Sequence, residues 1–364
     1  MSEHGIICEM NFFKSFCEYY RNSDHSLESR VKDMNWLNLY ESMLNSRLSF
    51  DCDWATLYAY ISDDVSQHYS SNLNNCPSFK LIKSLMDKGT LEINCTKQLP
   101  DSLLGHPLSN SDLMSIFLID DDCKVPIADG LGVHGITSDS YLFSDNYKRM
   151  PKNISQSEDF DWKSVLNKIP NQNSVLIMDR YIACTPSAIK YNLFPIIDSL
   201  LPDFLSIPFH LTIMTLDNDK FDHHKFRESD FAPEIFDPDE LERLSYGEKL
   251  CQIIEKYIKS KNKDLQLYLS VYICDSENFH DRIILTNSIF VYSGAGFNLR
   301  KWKSNKVVST STTTINISIR GICDKNDTNI LNNYYALAQN IAEHKIPIYS
   351  RENCTNRLFI RENN

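Results

Sequence analysis

The chain has 364 residues, with 37 Lys and Arg against 48 Asp and Glu for a formal charge of −11, and 42% of it is apolar. At roughly 150 residues per domain this leaves room for about two domains that each bury a core, and it excludes a small disulfide scaffold. Glycine is scarce, with 10 residues in the whole chain, well below the usual ~7%, so collagen-like and glycine-linker architectures are excluded and each glycine cluster becomes informative.

Residues 1–150 read as a helix-rich module. Phe12, Phe13, Phe16, Tyr19 and Tyr20 recur at helical spacing, as do Val31, Met34, Trp36, Leu37, Tyr40 and Leu44, and then Trp54, Leu57, Tyr58 and Ile61. An aromatic stripe of this kind serves as core or as a surface for a protein partner. Met114 to Ile119 is an expected strand, closed by the acidic turn Asp120–Asp122. Gly130, Gly132 and Gly135 match a GxGxxG pattern. A dinucleotide loop needs a strand running straight into the first glycine and a helix leaving the last, and neither is expected here, so the segment reads as a turn. The polar stretch 151–159 reads as a linker.

From about 160 to 364 strands and helices alternate. Ser174–Met178 is an apolar strand, a helix follows over 187–201, and Phe209–Leu216 is a second strand. Pro238, Asp239 and Glu240 open a helix carrying Leu241, Leu244, Leu250, Ile254, Tyr257 and Ile258 on one face, with Lys256, Lys259 and Lys261 late, as the helix dipole favours. Strands are expected over 265–274, 282–292 and the Thr-rich 307–319, and a last helix over 329–344. The βαβαβ order predicts an α/β fold with a mixed, largely parallel sheet.

The 11 cysteines are dispersed, the nearest two being Cys8 and Cys17, and no CxxC pair occurs. That excludes zinc-ribbon and thioredoxin spacing. Cys184 and Cys274 sit in apolar runs and read as buried free thiols. With no basic leader and no apolar run of about 18 residues, the expectation is a cytoplasmic protein without a transmembrane segment.

The most specific segment runs from His280 to Asn298. A histidine leads into a strand, Arg282 follows two residues later on the same face, Asn287 stands at +7, and a small-residue turn with Gly294 and Gly296 follows, with Asn298 just beyond. A histidine beside a fixed cation suits a phosphate: one group attacks phosphorus or moves a proton, and the other grips the nonbridging oxygens.

This segment resembles the HxKxxxxD motif of the phospholipase D superfamily and its following Gly-Ser turn, and is similar also to the degenerate phospholipase D-like C-terminal domain of the MIT-domain proteins. The resemblance covers at most residues 160–364. It implies a phospholipase D-like domain, a phosphodiester ligand, and site residues His280, Arg282, Asn287 and Asn298, with no cofactor or metal. Three departures stand out: Arg282 replaces the family lysine, Asn287 the aspartate, and Gly294-Ala295 the Gly-Ser pair. Arginine still binds phosphate, whereas asparagine does not stabilise an imidazolium as a carboxylate does. The chain has one motif copy, so the resemblance implies that an active form is a homodimer and a phosphodiesterase or nuclease working through a phosphohistidine.

Arg300, Lys301, Trp302, Lys303 and Lys306 form the densest basic run, with an aromatic inside it. That suits nucleic acid or another polyanion, and the net charge of −11 requires any such binding to be local. Arg180, at the end of the 174–178 strand, is a second phosphate contact. Asp217–His224 follows a strand and reads as a polar loop in preference to a metal site. Three functions are therefore expected as alternatives: phosphate recognition without catalysis, catalysis as a homodimer, and a protein-interaction subunit. The Asn- and Ile-rich, low-glycine composition is similar to that of accessory proteins in bacterial defence loci.

Overall fold

The computed structural model describes residues 5–22, 39–70, 72–94, 99–100, 108–137, 150–154, 162–166, 169–216, 231, 244–274, 282–294, 296–303, 306–309, 315–321, 328–350 and 355–360. Two compact units emerge, Ser2–Asp145 with Ile322–Thr328, and Asn146–Gly321 with Asn329–Asn363. Both combine helices and strands, as the α/β expectation requires.

The first unit is built on five strands, β1 (Gly5–Cys8), β2 (Arg47–Phe50), β3 (Leu91–Ile93), β4 (Ile116–Ile119) and β5 (His134–Thr137). They pair in parallel in the order β3-β2-β1-β4-β5. Helical spacing brings out the helices Met10–Asn22 and Trp54–His68, the helix Pro77–Lys88 is not among those expected from the sequence, and β1, β2 and β3 are too short to show a period of their own. Asp53 caps its helix by accepting from Thr56 N–H at 2.7 Å, and Gly89 ends the next one at φ 67°. Phe13 packs edge-on against Phe50 with ring centroids 4.9 Å apart, joining the first helix to β2. Residues Val31, Met34, Trp36 and Leu37 lie outside the described residues.

Gly130, Gly132 and Gly135 join a helix to a strand. Gly130 lies in the helix Val125–Leu131, and Gly132 caps it at φ 60°. Gly135 lies in β5, where a Cβ would meet Ala128 Cβ at 2.8 Å. The glycines thus serve close helix-to-strand packing.

The second unit contains β6 (Met150–Ile154), β7 (Ser174–Met178), β8 (Phe209–Leu216), β9 (Leu267–Cys274), β10 (Ile283–Thr286), β11 (Ile289–Ser293), β12 (Arg300–Lys303), β13 (Lys306–Ser309), β14 (Ile315–Gly321) and β15 (Ile348–Tyr349). The large sheet has the order β15-β9-β8-β7-β10-β11-β14-β6. Parallel pairing is confined to β7, β8 and β9, and every other pair in it is antiparallel. The sheet is therefore mixed but less parallel than expected, because among the described residues β10, β11 and β14 follow one another with no helix between them.

Other expectations change here too. Part of the stretch read as a linker is β6, an edge strand paired with β14. The segment 282–292 is a hairpin, because Thr286 Oγ1 accepts from the N–H groups of Ser288 and Ile289 and turns the chain. Pro238–Glu240 lies outside the described residues. The described helix runs Tyr246–Lys261, started by Ser245 and Glu248 in a reciprocal capping box. The core gathers Trp162, Ile177, Ile213, Leu250, Ile254 and Phe297, and Phe194 stacks on Tyr257 with centroids 3.6 Å apart.

Candidate phosphate site at the switch point of the second sheet

From β7 the chain builds outward in one direction through β8 and β9, and then returns beside β7 as β10 and continues the other way. The sheet order thus reverses between β7 and β10, and in α/β sheets ligands bind near the carboxyl ends of the parallel strands at such a reversal. β10 runs antiparallel to β7, with Ile283 opposite Met178, so the residue after β7 and the residue before β10 meet at one edge. These are Asp179 and Arg282.

Asp179 is 1% exposed. Its Oδ1 accepts from Tyr181 N–H at 2.7 Å and its Oδ2 from Phe297 N–H at 2.5 Å. Burial pushes its carboxyl above the usual carboxylate range, against the opposing pull of those N–H groups and of the Arg282 charge. Arg282 Nη1 donates to Gly294 O at 3.0 Å. Its Nε is buried against the turn and has no hydrogen-bond partner among the described residues.

The glycine turn completes the edge. Ser293 Oγ donates to Gly296 O at 2.7 Å, and Gly296 has φ 88°. A Cβ on Gly296 would lie 3.0 Å from Asp179 Oδ2 and 3.3 Å from Cδ and Nε of Arg282. The turn backbone thus lies against both the carboxylate and the guanidinium, in a left-handed conformation that favours glycine.

Not every expected residue joins this edge. His280 and Asp217–His224 lie outside the described residues. Arg180 follows Asp179 with its guanidinium 5.8 Å from the centre of the Tyr181 ring. Asn298 is close by but engaged: its Oδ1 accepts from Asn192 Nδ2 at 3.0 Å and its Nδ2 points at Cys184 Sγ at 3.7 Å. Burial, and next the Asp179 charge, push the half-buried Cys184 thiol up to about 11. Asn287 stands at the far end of β10, fully buried, its Oδ1 accepting from Asn173 and Ser174 N–H at 3.1 and 3.4 Å. The structure therefore corrects its placement among the reacting groups, because the length of β10 separates it from Arg282. The basic run forms a hairpin, with Arg300, Lys301, Trp302 and Lys303 in β12 paired to β13, which Lys306 opens.

Asn192 has no signal in the sequence. It is buried in a π-helical turn, Ile189–Leu193, and its Oδ1 accepts from Leu299 and Arg300 N–H at 2.8 Å each. Single π turns inserted in α-helices often mark functional sites.

The first unit has its own switch point between β1 and β4. There Glu9 accepts from Asp120 N–H at 2.9 Å and pairs with Lys124, and Asp51 accepts from Met10 N–H at 2.8 Å. Among the described residues no three His, Cys, Asp or Glu side chains are placed to share a metal ion. On the same unit a cavity of about 900 Å³ opens between the helices Trp54–His68 and Pro77–Lys88, walled by Trp54, Tyr58, Ile61, Phe79, Ile82 and Met86 among others. No described helix is long and apolar enough to cross a membrane.

Comparison with family models, with curated protein sequences and with solved structures gives no match to this chain.

Proposed function

We propose that the second unit is a phospholipase D-like phosphate-recognition domain that binds a phosphodiester polyanion, nucleic acid first among them, at the crevice between β7 and β10. The observation that carries this reading is Arg282: a guanidinium at the end of β7 where the sheet order reverses, tethered through an exposed terminal nitrogen to Gly294 O of the glycine turn. His280, two residues earlier, adds the reactive group of the sequence motif, and the β12–β13 hairpin follows the glycine turn with its basic residues. Binding without turnover is favoured over catalysis, because the chain carries a single copy of the motif and so only one such histidine.

The test is incubation of the full chain with single-stranded DNA and RNA, with and without EDTA, beside His280→Ala and Arg282→Ala. The reading expects binding that weakens in Arg282→Ala, with the substrate intact. EDTA-resistant cleavage abolished in His280→Ala would convert it to the catalytic alternative, which further requires a dimer by sedimentation. Cleavage that needs a divalent cation and survives His280→Ala would move the chemistry away from this crevice.

A further inference from the structure

The first unit carries a cavity that the phosphate reading leaves unused. It opens between the helices Trp54–His68 and Pro77–Lys88 with a volume of about 900 Å³, within the range of sites that enclose small molecules. The first helix contributes Trp54, Tyr58, Ile61 and Val65 and the second Phe79, Ile82 and Met86, in each case an apolar face at helical spacing. The first helix is fastened to its unit through other residues. Asp64 accepts from Ser78 Oγ at 2.8 Å and pairs with Arg21 at 3.2 Å, and Tyr60 meets Phe13 edge-on.

The lining describes the occupant. Leu57, Ile61, Val65 and Ile82 are buried and form an aliphatic floor. Of the eight large apolar side chains exposed among the described residues, Trp54, Tyr58, Leu73 and Met86 line this cavity, so exposed apolar surface gathers here instead of scattering singly. Three serines, Lys83 and Asp87 complete the lining, with Lys83 its one cation. From Trp54 to Ser66 the lining face of the first helix is about 18 Å long at 1.5 Å per residue, the length of an extended long-chain acyl group. A partner α-helix of that length, ~10 Å across, fills about 1,400 Å³, more than the cavity holds. A slender hydrocarbon chain fits within it.

We infer that the first unit binds a long acyl chain in this cavity, laid along the face from Trp54 to Ser66. The polar end of the chain meets the few polar groups of the lining, a carboxylate at Lys83 or an uncharged head at the serine hydroxyls. This site stands independently of the phosphate reading of the second unit.

Titration of the full chain with cis-parinaric acid, a fluorescent fatty acid, tests it. Excited tryptophan is expected to transfer energy to the bound probe, and Trp54→Phe to remove most of that transfer while binding persists. Ser62→Trp, which fills the cavity from an exposed helix position, is expected to weaken binding about tenfold or more. Ser62→Ala is expected to leave it unchanged, with each variant melted in parallel. Competition separates the sources of the chain: displacement by palmitate alone assigns a carboxylate head at Lys83, and displacement by monopalmitoylglycerol as well assigns recognition to the chain itself. Absence of displaceable binding at micromolar probe overturns the inference, as does transfer that survives Trp54→Phe in full or undiminished binding by a folded Ser62→Trp chain. A wild type that sediments as a dimer parted by Tyr58→Asp overturns it too, since a second copy then covers the cavity.

Discussion

The carboxamide of Asn192 grips the backbone of Arg300 from both sides, accepting from its N–H and donating to its carbonyl, each at 2.8 Å. The same Oδ1 accepts from Leu299 N–H. Asn192 thus fixes the start of the basic hairpin to the helical segment after β7. Replacing it with Ala leaves two N–H groups and a carbonyl without that partner in a buried setting, at a cost of about 2–4 kcal/mol. Urea unfolding of Asn192→Ala is expected to show this loss with an unchanged slope. A loss below about 0.5 kcal/mol would show that water replaces the amide.

Gly296 is the second point where local geometry decides. Its φ of 88° is strained for an L side chain, and the added methyl would press on Asp179 Oδ2 at 3.0 Å. Gly296→Ala is expected to lose about 1–3 kcal/mol from backbone strain and to weaken oligonucleotide binding. Gly294→Ala is the control, since a Cβ there meets only Tyr292 Oη, at 3.9 Å. Equal melting temperatures for the two variants would refute the assigned strain.

How far these features were legible differs by residue. The strands Ser174–Met178 and Phe209–Leu216 stand out because each is an apolar run with a mostly buried interior. In the first unit β2 and β3 carry Arg47, Ser49 and Glu92 within three or four residues, too short to establish any period, so the sheet only appears in three dimensions. Arg282 was legible through its spacing to His280 and the glycine turn. Asn192 was not, since its partners lie more than a hundred residues along the chain. Asn287 shows the converse error: correct spacing in a motif, but an orientation set by the hairpin.

The cavity on the first unit carries an exposed apolar rim. Trp54 is 52% exposed, Tyr58 73% and Met86 56%, so these side chains contribute little burial energy to their own helices. The double variant Trp54→Ser and Tyr58→Ser is expected to melt within a degree or two of wild type, at about 0.5 kcal/mol or less of stability. It should also show weaker binding of a hydrophobic dye. A large drop in melting temperature would mean that the rim supports the unit's core.

Acid sensitivity follows from two buried histidines, one in each unit. Burial lowers His134 to about 4 and His210 to about 3, the latter helped by the nearby Arg357 charge. Both folded values lie below the ordinary ~6.5 of an unfolded histidine, so the unfolded chain binds more protons between those limits. Stability is then full above about pH 6.5 and falls as pH drops toward 4 and 3. For His134 the loss is on the order of 3 kcal/mol once the pH is below both values. Calorimetric melting from pH 7 down to pH 4 is expected to show falling transition temperatures, and His134→Gln, which carries no titrating group, should flatten the dependence of the first unit. An unchanged pH dependence in that variant would place the acid sensitivity on other groups.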